Sequence, residues 1–155
     1  MKFAVLVLGC LFASIPAIAS EGPFNKNSHP EEDLANAKKQ SKIEGKNIIV
    51  DVGGNWCEWC IAIDRTLQQD ATLKQLLDKN FVVIHVDYGE FRARNREFLK
   101  QFPPFKGIPN WFVLNADGKL LIDQHPAFIK GKKSHDLDND AIRDFLEKWA
   151  TKSQN

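Results

Sequence analysis

Cys57 and Cys60 stand three residues apart in a chain of 155 residues that has three cysteines in all. At that spacing on a helix two thiols share one face and can close a disulfide. The residues around them say where they sit. Ile48-Ile49-Val50-Asp51-Val52 is a β-branched run suited to a buried strand. Gly53 and Gly54 end it, and beyond Cys57 the apolar positions Cys60, Ile63 and Leu67 recur at helical spacing. The thiols therefore fall where a strand hands over to the first turn of a helix. The first helical N–H groups lack intrahelical partners and carry partial positive charge. Both effects favour a thiolate at Cys57, and the thiolate is the nucleophile. The pattern implies a reversible dithiol/disulfide pair in which Cys57 attacks and Cys60 resolves the mixed disulfide.

The rival chemistry for the same sulfurs is metal binding. Structural zinc takes four ligands, yet the chain has no second C-x-x-C and no His-x-x-x-His pair, and its histidines at 29, 85, 125 and 135 are scattered. A copper or zinc handling chaperone module stays as the alternative, and no metal ligand is assigned. A third class is a protein-binding domain whose cysteines only stabilise a surface. Asp51 interrupts the apolar strand, which is unfavourable unless the carboxylate has a role or a partner.

Strand, Asp51, the Trp56-Cys57 pair, Cys60 and the later Gly107-Ile108-Pro109 together resemble the thioredoxin superfamily. More narrowly they resemble bacterial secreted thiol:disulfide interchange proteins with a Trp-Cys-x-x-Cys site. The resemblance covers about Glu31 to Trp149. It implies a thioredoxin fold, α/β with a central mixed sheet of four to five strands flanked by helices, and the activity of a protein disulfide oxidoreductase. By the same resemblance Asp51 accepts the proton of Cys60, although Val83 occupies the place where thioredoxins often carry a lysine beside this carboxylate. Ile108-Pro109 matches the family's cis-proline, whose neighbouring backbone pairs with extended substrate. Trp56 and Trp59 supply an apolar rim for substrate or pack against the domain. Glu58 and Trp59 stand where thioredoxins have Gly-Pro. The charge of Glu58 disfavours a neighbouring thiolate, so a reducing or intermediate potential is expected. No organic cofactor is implied; the partners are protein thiols or disulfides and a redox partner protein.

The elements that must position these groups follow in chain order. Residues 1–19 read as a cleaved signal peptide, with Lys2, an apolar run from Phe3 to Phe12 and the small-x-small Ala17-Ile18-Ala19. The run is too short for a transmembrane span of roughly 20 residues, and Val7-Leu8-Gly9-Cys10 only faintly suggests lipid attachment. Cleavage removes Cys10, leaving the motif pair alone. It also removes Lys2 from 21 basic residues set against 20 acidic ones, and a balanced charge offers no field for nucleic acid or anionic lipid. A periplasmic or secreted monomer is expected, without membrane insertion after cleavage.

Residues 20–29 form a leader, loose from Ser20 to Asn27. The domain spans 30–151, and 152–155 are a tail. Ser28 is expected to cap a first helix, in a capping box with Glu31; its apolar stripe is Leu34, Ala37 and Ile43, and Gly45 ends it. Asp70 caps a helix bearing Leu73, Leu76 and Leu77. Phe81 to Val86 reads as a central strand covered on both faces. A third helix is expected from Arg94 to Phe102, stopped by Pro103-Pro104. Arg92, Arg94 and Arg96 near its start make a poor nucleic-acid patch, balanced by neighbouring acids. Trp111 to Leu114 and Lys119 to Ile122 form a hairpin around Gly118. An irregular loop follows from Gln124 to Asp136, then a helix from Asp138 onward with Ile142, Phe145, Leu146 and Trp149 inward.

Overall fold

β1, Asn47–Gly53, is buried at every position, which is why its sequence is a near-continuous β-branched run rather than an alternating one. In the computed structural model, which describes residues 22–89, 95–131 and 136–151, β1 is flanked on both sides. β2, Phe81–Asp87, pairs with it in parallel, Asp51 opposite His85. β3, Asn110–Leu114, pairs antiparallel, Asp51 opposite Trp111. β4, Leu120–Gln124, completes a hairpin with β3, and the sheet order among the described residues is β2-β1-β3-β4. The sheet is mixed and flanked by helices, as the sequence implies. β2 is nevertheless an edge strand, not a central one, and Val82, Val83 and His85 are only half-buried.

Pleating divides the core in two. Ile48, Val50 and Val52 face one side, against Leu34 and Ala37 of α1 (Pro30–Glu44) and Phe98 and Leu99 of α4 (Arg96–Leu99). Ile49, Trp111 and Val113 face the other. There they meet Ile63 and Leu67 of α2 (Glu58–Gln69), Leu73 and Leu77 of α3 (Ala71–Asn80), and Ile142, Phe145 and Leu146 of α5 (Asn139–Trp149). The strand period of two thus places Asp51 and Gly53 on the α2 side.

Capping explains several boundaries. Asp70 Oδ1 accepts from the N–H groups of Thr72 and Leu73, and Asp138 does the same for α5 through Asp140 and Ala141. Gly45 closes α1 at φ +66° and Gly118 turns the hairpin at φ +86°, conformations that side chains resist.

Other expectations need correction. The N-cap of α1 is His29, without a side-chain cap bond; Pro30 starts the helix, so Ser28 lies one residue too early for a capping box. Ile43 is exposed and Ser41 is buried instead, because the inward stripe runs Leu34, Ala37, Ser41. α4 is a single turn, and Arg92 and Arg94 lie outside the described residues. The loop after β4 contains a 3₁₀ turn at Pro126–Ile129 that buries Ile129 against α5. Residues 1–19 and the tail lie outside the described residues, and no helix among those described is long and apolar enough to cross a membrane.

The leader is not loose at Phe24, which is only 1% exposed. Its N–H donates to Asn55 Oδ1 at 3.1 Å, and Asn55 Nδ2 donates back to its carbonyl at 3.0 Å. Truncating Phe24→Ala is expected to destabilise the protein by about 3 kcal/mol, as for other buried aromatics, and to speed alkylation of Cys60 in the reduced protein. Denaturant melts and quenched alkylation read both effects.

Candidate active site

Cys57 and Cys60 are joined by a disulfide, with Cα atoms 5.2 Å apart. Cys57 is the N-cap of α2, in extended backbone, and its Sγ accepts from the Cys60 N–H at 3.2 Å. A free helix-terminal donor therefore already points at the leading sulfur, the arrangement that steadies a thiolate once the bond opens. Cys57 retains 8% exposure and Cys60 2%, so an incoming thiolate reaches Cys57 first. The pair is more covered than an exposed helix start would be. Phe24 clusters with both cysteines, with Trp59 and Ile108 packed alongside.

Of the other residues singled out in the sequence, Trp56 is 40% exposed with its indole folded back over Gly54. Trp59 is half-buried against the cluster of Phe24 and the two cysteines, with Lys130 Nζ 5.0 Å above its ring. Ile108 packs against the same cluster, and the Ile108–Pro109 peptide bond is cis. These residues and the cysteines share one end of the molecule.

Asp51 lies one pleat below, on the same face of β1 as Gly53, the residue that abuts Cys60 Sγ. Both of its oxygens are engaged. Trp111 Nε1–H donates to Oδ1 at 3.0 Å, and His85 Nδ1 lies 3.1 Å from Oδ2. The partner of Asp51 is thus not at position 83 but two residues on, at the register position directly opposite. Three side chains, His85, Asp51 and Trp111, stand in a row across three strands. Burial pulls the imidazole of His85 down, but the hydrogen bond and charge of Asp51, with a smaller push from Asp64, outweigh it and leave His85 above its usual value. Phe24 meets the His85 ring edge-on at 5.2 Å.

Sequence reasoning missed His85, Trp111, Asn55 and Phe24. A histidine in the apolar run of β2 was a usable signal, as was a single aromatic in a polar leader; Trp111 looked like ordinary core. Among the described residues no three His, Cys, Asp or Glu side chains gather as a metal site.

The "Thioredoxin-like" family description matches residues 29–116, and the chain belongs to that family. Disulfide bond reductase DsbH of Chlamydia pneumoniae is 26% identical over 133 residues, covering 74% of this chain and 80% of that protein. The thiol:disulfide interchange protein DsbD of Colwellia psychrerythraea is 26% identical over 91 residues, 59% of this chain but only 15% of that longer protein. Among solved structures, a disulphide isomerase from Xylella fastidiosa Temecula1 superposes with a TM-score of 0.69 at 28% identity, over 84% of this chain and 98% of that one. The oxidised C-terminal domain of Neisseria meningitidis DsbD has a TM-score of 0.51 at 17% identity, over 77% and 96%, a likeness of fold. With its cysteine pair at the head of α2, the chain is a thiol:disulfide oxidoreductase of thioredoxin fold.

Proposed function

We propose that the protein is exported, loses residues 1–19, and exchanges disulfides with protein thiols in the periplasm or outside the cell. The observation that carries this reading is the Cys57–Cys60 disulfide at the N-terminus of α2, its leading sulfur the more exposed. In the reducing direction, the Cys57 thiolate attacks a substrate disulfide, forming a mixed disulfide and releasing one substrate thiolate. Cys60 then gives its proton to Asp51 and attacks Cys57 Sγ. The Cys57–Cys60 bond forms, the second substrate sulfur leaves with the electron pair, and a redox partner protein reduces the pair again. Trp56, Trp59, Ile108 and Pro109 contact the substrate segment around its cysteine, Pro109 leaving neighbouring backbone free to pair with it. The copper or zinc chaperone alternative is not favoured.

Direction follows from Glu58, which is exposed beside Cys57. Its charge opposes the thiolate and so favours the oxidised form, which makes the reduced protein the better donor of electrons. Equilibration in glutathione and dithiothreitol buffers tests this. The pair is expected to open and close reversibly, at a potential well below that of a strong oxidant, about −120 mV. Glu58→Gln should shift the equilibrium toward the reduced form by about two- to fivefold at low salt, and less at high salt. A pair that will not cycle, or a wild-type potential near the strong-oxidant value, would overturn the reading.

A further inference from the structure

Resolution of the mixed disulfide leaves a proton on Asp51, and Asp51 is 6% exposed. A buried carboxyl that keeps this proton can hand it straight back to the Cys60 thiolate before that thiolate attacks, so drawing the proton onward commits Cys60 to resolution. Trp111 offers no onward path, since an indole N–H only donates. The other oxygen faces His85 Nδ1 at 3.1 Å, and an imidazole takes a proton on one nitrogen while losing one from the other. His85 is on the edge strand, its side chain 25% exposed, and it lines a cleft of about 390 Å³ between β2, α2 and α3. That cleft also contains Asp51, Asp64 and Asp78. On the side of the cysteines the same ring is covered by Phe24, so its route to water lies through the cleft rather than the sulfur site.

We propose that His85 takes the proton from Asp51 and hands it to solvent through the cleft, and so sets the rate at which Cys60 resolves the mixed disulfide. The assignment rests on the oxidoreductase reading above. The step balances as follows: the carboxyl O–H of Asp51 breaks, an N–H forms at His85 Nδ1, and the Nε2–H proton of the resulting imidazolium passes to water. Asp51 returns to carboxylate and His85 is left neutral with its proton on Nδ1. When the partner reduces the pair the same path runs backward, water giving a proton to Nε2 and Nδ1 passing its own through Asp51 to Cys60. Both the thiol and the starting tautomer are thereby restored. His85 acts through Asp51 and does not touch sulfur. The charged groups that line the cleft with it are Asp51 from β1, Asp64 from α2, Asp78 from α3 and Lys46. Asp51 and, to a smaller extent, Asp64 hold its proton affinity up against burial, which suits a group that must draw a proton from a carboxyl.

A chromogenic aromatic disulfide mixed with the reduced protein in a stopped-flow instrument separates the two steps. The first coloured thiol is released when Cys57 attacks and the second when Cys60 resolves. In wild type the second phase should quicken as pH rises through the His85 value, because the imidazolium cannot accept a proton. His85→Gln, which keeps a hydrogen bond to Asp51 but cannot relay, should leave the first phase unchanged. It should slow the second by about tenfold or more at neutral pH and remove that inflection. Asp51→Asn should slow the second phase too, and adding His85→Gln to it should slow it no further. A His85→Gln second phase with wild-type rate and pH profile overturns the relay while leaving the oxidoreductase intact, as does full additivity of the two substitutions. Failure of wild type to release either thiol overturns the oxidoreductase reading itself. If His85→Gln proves unstable, His85→Asn is measured in its place against the same outcomes.

Discussion

Replacing Cys60 with serine is expected to abolish turnover and leave Cys57 covalently bonded to its substrates. The loss should be on the order of 10³-fold or more, as when a member of an interdependent catalytic set is removed. The physical reason is access. Cys60 lies against Gly53 beside Phe24 at 2% exposure, and no other thiol within the described residues stands near Cys57. A serine hydroxyl is a far weaker nucleophile at neutral pH, so the mixed disulfide waits for an external thiol. The fold should survive. The bond closes a loop of only a few residues, and its chain-entropy contribution is about 2 kcal/mol. Non-reducing gels and mass spectrometry of adducts from cell extracts would identify substrate and partner together. Cys57→Ser should give none, since Cys60 is too covered to start an exchange. Adducts in equal yield from both variants would mean that the order of attack is wrong.

The strand-to-helix junction was legible because the signals there are local. β-branched residues, a glycine pair and helical spacing after Cys57 fix β1 and α2 without reference to anything distant. Asp70, Gly45, Gly118 and the apolar stripe of α5 read correctly for the same reason. What escaped depends on pairing between strands. Nothing in Phe81 to Asp87 says that, among the described residues, one side of β2 has no strand beside it, since a β-branched edge strand packed under α1 reads like a central one. The resemblance marks only that Val83 stands where thioredoxins often carry a lysine, and it says nothing of His85. The register, Asp51 opposite His85, is set instead by where β1 and β2 begin, which is a tertiary fact. Phe24 was hidden by composition. Its polar, glycine-bearing surroundings do suit a loose segment, but one buried ring and two hydrogen bonds to Asn55 hold the leader against the site.

Gly53→Ala should be among the most damaging single-methyl changes in the chain. In a strand interior, glycine to alanine ordinarily stabilises by roughly 0.5–1 kcal/mol, through the entropy of the unfolded chain. Gly53 has no positive φ to oppose this, so propensity alone predicts a gain. Space predicts the reverse. A Cβ on Gly53 would lie 2.5 Å from Phe24 Cζ and 2.9 Å from Cys60 Sγ, well inside van der Waals contact. Neither neighbour is a free rotor, for Phe24 is held by Asn55 and by the His85 ring, and Cys60 by its disulfide and by α2. Relief requires lifting the leader or prising the head of α2 off β1, an overpacking penalty of about 1–3 kcal/mol. The expected result is a lower denaturation midpoint, with Cys60 in the reduced form alkylated faster than in wild type. Combining Gly53→Ala with Phe24→Ala supplies the sign test. The new methyl then enters space vacated by the ring, and the pair should destabilise less than the two changes added, by about 0.5–3 kcal/mol. Strict additivity, or a Gly53→Ala protein as stable as wild type, would show that the leader does not lock the resolving cysteine in solution. Cys60 would then depend on α2 alone for its cover.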